Sequence, residues 1–147
     1  MSSGIFNAMD VSASGMTAQR TRMDVISQNI ANVNTTRDEN GDVYKRQTVV
    51  FQENANVSFD TKLSNKLSPY KAKGVKIRAI VEDNSEGIMS YEPNHPDADE
   101  NGYVTYPNVN TVTEMTNLID ASRSYEANAT AFNAAKAMAA KGLELIK

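Results

Sequence analysis

Residues 5–33 read IFNAMDVSASGMTAQRTRMDVISQNIANV, and the spacing within this stretch decides the fold. Steps of four and three residues alternate through Ile5, Met9, Ser12, Met16, Gln19, Met23, Ile26, Ile30 and Val33. An average step of about 3.5 residues keeps one stripe facing a partner helix along its whole length. The tail carries the same spacing through Met115, Leu118, Ser122, Tyr125, Ala129, Phe132, Lys136, Ala139, Leu143 and Ile146. At about 1.5 Å per residue the two stripes are about 42 Å and about 47 Å long. The spacing therefore predicts a helix at each end of the chain, packed lengthwise on partners. Ala13, Gly15 and Ala18 are small enough to let helices approach closely, and Met at three stripe positions fills irregular gaps.

The charge distribution supports this reading. Hydrophobic residues make up 40% of the 147, aromatics only 7%, and there is no Trp, which is thin material for a large core. Residues 1–36 carry Arg20, Arg22, Asp10 and Asp24 and sum to zero, as do the four basic and four acidic residues of 108–147. The whole net charge of −3 lies in 37–107. Neutral, sparsely charged ends suit burial in an interface. No basic surface for nucleic acid and no polybasic membrane patch is present, so neither nucleic-acid binding nor membrane insertion is expected. The chain has no Cys, which removes disulfides, thiolate catalysis and Cys-zinc sites. Met1-Ser2-Ser3-Gly4-Ile5-Phe6-Asn7 lacks the basic and apolar regions of a cleavable secretory signal.

Between the ends the pattern changes. The first helix is expected to start near Ser3 and stop near Val33, where Asn32-Val33-Asn34-Thr35-Thr36 offers side chains that compete with the backbone. Asn29 and Asn32 are expected to satisfy backbone groups at that helix end. Asn40-Gly41 is a turn signal. Tyr44 to Glu53 reads as a strand, 54–73 as a flexible loop, and Val75 to Val81 as a half-buried strand with Val75, Ile77, Ala79 and Val81 on one face. Ile88–Tyr91 and Tyr103–Tyr106 are expected short strands around a Pro- and Asp-rich turn. The second helix begins near Asn108 to Thr111, with Glu114 in its first turn to suit the helix dipole. The fold class is thus mainly α with a small β region. Long terminal helices, 1–36 and 108–147, pair as an antiparallel coiled coil, and 37–107 form a short strand and hairpin middle.

Chemistry is sparse. Asp97-x-Asp99-x-Asn101-Gly102-x-Val104 matches the opening of a calcium loop of the EF-hand type, but the twelfth position is Asn108 where a bidentate Glu is required. Pro93 and Pro96 also exclude an entering helix, so an acidic hairpin turn without a calcium requirement is expected. His95 is the only His and lies in a loop between those prolines, and no Ser or Thr has a visible base partner. Arg20-Thr21-Arg22 flanks the helical stripe and reads as solvated or interhelical charge. Sequons at Asn34, Asn56 and Asn128 carry little weight without secretory context. No catalytic residue, metal site or cofactor is expected. Ser12, Gln19, Ser122 and Lys136 place polar groups in the stripes; they fit either a weak two-helix coil or helices that meet several neighbours, with polar positions setting register.

Met23 to Thr36, MDVISQNIANVNTT, contains Asn29-Ile30-Ala31-Asn32 followed by a Thr-bearing turn. This resembles the N-terminal signature of the flagellar basal-body rod, hook and hook-associated protein family. The tail from Pro107, PNVNTVTEMTNLIDASRSYEANATAFNAAKAM, resembles the same family's C-terminal segment. In the middle, Tyr44–Phe51, Gly74-Val75-Lys76, Tyr91–Pro96 and Ala98–Val104 are similar to the short proximal-rod members, and the chain length agrees with that. The resemblance implies a structural, non-enzymatic rod subunit that assembles with its own copies and neighbouring rod proteins. It implies passage through the flagellar type III export apparatus without a cleaved signal, and an axial rod that is periplasmic in diderm cells. The residues expected to pack between subunits are Ile5, Met9, Met16, Met23, Ile26, Ile30, Val33, Met115, Leu118, Tyr125, Phe132, Leu143 and Ile146. A helical adaptor whose coiled coil binds a single partner is the competing reading. An adaptor should be a stable dimer in isolation, whereas a rod subunit should be a monomer with largely unstructured ends until it assembles.

Overall fold

The computed structural model describes residues 2–37, 41–54 and 73–144. Helix α1 spans Ser2–Ala31 and helix α2 spans Thr111–Glu144. Between them lie β1 (Gln47–Glu53), β2 (Val75–Glu82), β3 (Ile88–Tyr91) and β4 (Tyr103–Tyr106). β1 pairs with β2 and β3 with β4, giving two separate antiparallel ribbons. The expected loop over 54–73, apart from its end residues, falls outside the described residues, as do Asn40 and Ile146.

Side chains explain the helix limits. Thr17 and Thr21 donate back to the carbonyls of Ala13 and Thr17, so mid-helix hydroxyls find partners without leaving the helix. α1 ends two residues before Val33 because the Asn32 amide takes the Gln28 carbonyl at 2.9 Å while Thr35 Oγ1 donates to Asn32 Oδ1. Val33 therefore lies in the turn beyond the helix. At the start of α2, Asn110 Oδ1 accepts from the Thr113 N–H at 3.1 Å, an Asn N-cap that fixes the first turn.

The two helices lie side by side in opposite directions. A Cβ placed on Gly15 would come within 2.7 Å of Asn128 Oδ1, and Asn29 Nδ2 donates to Glu114 Oε2 at 3.1 Å. Fourteen residues along α1 therefore match fourteen along α2 in the reverse sense. Gly15 is present despite its cost inside a helix because the Asn128 amide occupies the space of a side chain. Ala18, Ala121 and Ala135 are buried along the same contact. The contact is close because its residues are small.

This packing shifts the phase of the stripe on α2. Glu114, Ala121 and Ala135 are buried, whereas Met115 is 52% exposed and Lys136 is exposed. Leu118, Phe132 and Ala139 are half-buried. On α1, Ser12 and Ile26 are buried together with Gly15, Ala18, Val25 and Asn29, and Ile5, Met9, Met16, Met23 and Ile30 are half-buried. Small side chains occupy the interhelical face and larger ones flank it.

The β1–β2 ribbon corrects the expected alternation. Val50 opposes Ala79 but Phe51 opposes Ile77, so Arg78 is an extra residue that bulges out of β2. The bulge reverses the phase beyond it. Ile80 lies on the face of Ile77 and Val75, while Ala79 and Val81 turn to the other face, where Val81 is 48% exposed. β1 keeps a regular pattern, with Gln47, Val49 and Phe51 half-buried. Ser14 anchors the far end of the ribbon to α1 by accepting the Val75 N–H at 3.1 Å and donating to the Val11 carbonyl at 2.7 Å.

Replacing Gly15 by Leu should push the helices apart and lower folding stability by about 1–3 kcal/mol. Adding Asn128→Ala to that variant should recover part of the loss, measured as the shift in urea midpoint. Strict additivity of the two substitutions would contradict the contact.

Candidate functional site: a polar junction and an apolar exterior

Three elements meet at Asn29, which is fully buried in the last turn of α1. Its Nδ2 donates to the Gln47 carbonyl at 2.8 Å and to Glu114 Oε2 at 3.1 Å. Its Oδ1 accepts from the Gln47 N–H and from the Tyr44 hydroxyl, each at 2.9 Å. An amide has two donors and two acceptor lone pairs, and all four are used. Asn29 therefore does not cap its own helix, contrary to expectation; it ties α1 to the start of β1 and to α2. Asn32 is the residue that closes the helix end.

Glu114 is the second member. Its side chain is 1% exposed, and Oε1 receives Arg46 Nη2 at 2.8 Å and Nε at 3.0 Å. The expected role of Glu114 at the helix N-terminus is thus joined by an ion pair with a residue from the strand entry. Arg46 is itself held: its N–H donates to Asn108 Oδ1 at 3.2 Å and its Nη1 to Thr48 Oγ1 at 3.0 Å. A buried carboxylate is tolerated because it is both paired and hydrogen-bonded. Burial pushes the Tyr44 hydroxyl above its ordinary value of 10.0, and the Glu114 and Glu82 carboxylates push it further. Tyr44 therefore stays protonated and donates to Asn29 at neutral pH.

Tyr44, Arg46, Gln47 and Glu114 were not singled out from sequence as a site. One signal existed: taking the α2 stripe one residue earlier puts Glu114 inward beside Asn117 and Ala121. The apolar Met115 is the more obvious choice and hides it.

The remaining candidates are placed as follows. Asp99 Oδ1 accepts the N–H groups of Asn101 and Tyr103, each at 2.8 Å. Asp97 takes Thr36 Oγ1 at 2.7 Å and pairs with Arg37 Nε at 2.6 Å. Both carboxylates of the calcium-like turn are thus engaged by the protein, and Gly102 takes a φ of 82°, which favours Gly. His95 Nδ1 accepts the Asp97 N–H at 3.1 Å within the same turn. Among the described residues no cluster of three or more His, Cys, Asp or Glu could hold a metal ion. None of their helices is long and apolar enough to cross a membrane. Arg20 is exposed, and Arg22 is half-buried. Asn34 is exposed, Asn128 packs on Gly15, and Asn56 lies outside the described residues.

The exterior is unusually apolar on α2. Val112, Met115 and Ile119 are each more than half exposed, as are Met138 and Leu143 nearer the C-terminal end. Val112, Met115 and Ile119 fall at i, i+3 and i+7, one face of a helix. Tyr125 is 36% exposed.

Arg46→Met or Glu114→Leu alone should each cost about 3–5 kcal/mol, since either leaves a charge without its partner. The double variant should cost clearly less than the sum, read from a denaturation double-mutant cycle. A raised folded-state Tyr44 value means that its stabilising contribution is complete below pH 10 and lost as pH rises through the folded value. Stability should therefore fall above pH 10, and Tyr44→Phe should flatten that fall in an alkaline melt series.

Comparison with known proteins gives two family matches, "Flagella basal body rod protein" over residues 9–37 and "Flagellar basal body rod FlgEFG protein C-terminal" over residues 100–145. The first includes Asn29 and the second includes Glu114, so the junction joins the two matched segments. A Bacillus subtilis protein named flagellar basal-body rod protein FlgC is 45% identical, over 97% of this chain and 98% of its own length. The protein of that name from Borreliella burgdorferi is 41% identical over 98% and 99%, and that from Salmonella typhimurium 37% over 96% and 97%. Such identity, sustained through the terminal helices and both ribbons, leads to one assignment: the chain belongs to the FlgC family of flagellar basal-body rod proteins.

Proposed function

We propose that this chain is a structural subunit of the bacterial flagellar basal-body rod, in its proximal part, and that it is not an enzyme. The observation that carries this reading is the end-to-end match to FlgC proteins, which leaves almost none of the chain for another role. The subunit would join its own copies and neighbouring rod proteins through its terminal helices and so contribute to the axial drive shaft of motility. The segments 1–36 and 108–147 would form the helical part of the shaft as an antiparallel coiled coil, with 37–107 as the middle region. Travel through the flagellar type III export apparatus without a cleaved signal, and a periplasmic rod in diderm cells, complete the proposal.

The surface supports assembly by these helices. Ile26 lies buried within the chain, but Met115, Tyr125 and Leu143 are exposed and offer apolar area to neighbours. Exposed apolar stripes of this kind mark interaction surfaces. The ends carry no net charge, so copies approach without long-range repulsion from these segments.

Deleting the gene should abolish swimming in soft agar, and wild-type protein should restore it; a motile deletion strain would overturn the reading. Met115→Asp and Leu143→Asp should change the stability of the isolated chain by no more than about 0.5 kcal/mol, yet block rod assembly. Ile26→Asp should lower stability by about 3–5 kcal/mol and block assembly as well. Isolated basal bodies and denaturation curves separate these outcomes.

A further inference from the structure

The β3–β4 ribbon stands apart from the helix pair. Among the described residues neither of its strands lies against a helix or against the β1–β2 ribbon. Its inward contact is made by Val104 and by the adjoining Pro107, both buried. Its turn is tied to the segment that leaves α1 by one carboxylate. Asp97 Oδ2 accepts from Thr36 Oγ1 at 2.7 Å, and Asp97 Oδ1 pairs with Arg37 Nε at 2.6 Å.

His95 holds the backbone that presents this carboxylate. Its own N–H donates to the Glu92 carbonyl at 3.0 Å, and its carbonyl accepts the Ala98 N–H at 3.1 Å. Its half-buried ring meets the Tyr106 ring edge-on, with centroids 6.5 Å apart. Held in this way, Nδ1 accepts the Asp97 N–H at 3.1 Å. A backbone N–H can only donate, so this bond requires an Nδ1 without a proton. Imidazole is the side chain whose charge changes between about pH 5 and 8. Once protonated, Nδ1 is itself a donor and faces a donor, and the bond is lost.

The charged and titratable groups of this turn are Glu92, Asp97, Asp99 and Glu100, with Tyr106 on β4 and Arg37 on the segment after α1. Glu92 Oε2 holds the Tyr106 hydroxyl at 3.1 Å, and Asp99 Oδ1 holds the N–H groups of Asn101 and Tyr103. Burial and the Glu92 hydrogen bond push the Tyr106 hydroxyl above its ordinary value of 10.0, so it stays a donor throughout the imidazole range. Asp97 differs from these carboxylates because its side-chain partners, Thr36 and Arg37, lie outside the turn. An imidazolium two residues away competes with Arg37 for it.

We propose that His95 is a proton-controlled latch between the β3–β4 turn and the exit of α1. Neutral, it fixes the Asp97 backbone so that the carboxylate faces Thr36 and Arg37. Protonated, it releases that backbone and draws the carboxylate into the turn, and the ribbon loosens from the segment after α1. The inference stands on this geometry and does not depend on the rod-subunit reading.

The test is an NMR titration of the isotope-labelled full-length chain from about pH 8 to about pH 5.5. The His95 ring signal and the backbone N–H signals of Thr36, Arg37 and Asp97 should move with one midpoint. His95→Asn replaces Nδ1 by an amide Oδ1, which accepts the same N–H and does not titrate. This variant should hold the three backbone signals constant across the range. His95→Ala, which has no acceptor, should place them near their low-pH positions already at the alkaline end. The coupling between Arg37→Gln and Asp97→Asn, from a urea double-mutant cycle, should be about threefold in the unfolding constant at the alkaline end and vanish at the acid end. In the His95→Asn background it should be equal at both ends. Movement of the His95 ring signal without the other three would overturn the proposal, as would equal coupling at both ends in the wild-type background. A pH dependence that survives in His95→Asn would overturn it too, by tracing the effect to a carboxylate.

Discussion

The structure depends on satisfying one buried amide. Asn29 makes four hydrogen bonds that reach β1, the strand entry and α2 at once. An unpaired buried polar group costs about 1–3 kcal/mol, so any arrangement that breaks this set loses several such terms together. The helix contact alone is a weak guide to register, because Ala and Gly faces fit one another nearly as well after a one-turn slip. Asn29 and Glu114 do not tolerate the slip, since it would strand a carboxylate and an amide in a dry site. A polar pair inside an apolar contact thus selects one alignment, as single polar residues do in helix pairs generally.

Fixing that alignment determines where the large side chains go. With Gly15, Ala18, Ala121 and Ala135 inside, the helices sit close along that face. Val112, Met115, Ile119 and Leu143 are displaced to the outside of α2. The isolated chain therefore keeps its small residues for itself and shows its larger ones to neighbours. Exposed apolar area of this kind suits a member of a rod family that packs against other subunits.

The same junction positions a groove beside it, lined by Arg22, Val25, Ile26, Val49 and Phe51. Arg46 enters the structure next to Gln47, and its pairing with Glu114 holds the start of β1 against both helices. β1 then runs along α1 toward Ser14, while α2 runs along the other side. The groove is the space that these two tethers leave.

The local pattern of the sequence determined a good deal. Alternating steps of three and four residues located both helices, and the short strands Ile88–Tyr91 and Tyr103–Tyr106 fell where β-branched and aromatic residues cluster between turn signals. The Asn29-Ile30-Ala31-Asn32 motif and the Pro107 tail pointed to the family. Each of these signals is local, because hydrogen bonding within a helix and turn formation involve residues close in the chain. Three things were decided only by tertiary structure. The α2 face turned inward is Glu114, Ala121 and Ala135, because steric fit across the helix pair, not apolarity, chose the phase. The β2 face reverses at Arg78, because pairing with β1 inserts a bulge that alternation cannot reveal. The junction of Asn29, Tyr44, Arg46, Gln47 and Glu114 joins residues up to 85 positions apart. Its members are individually ordinary polar side chains, and burial alone forces them to satisfy one another.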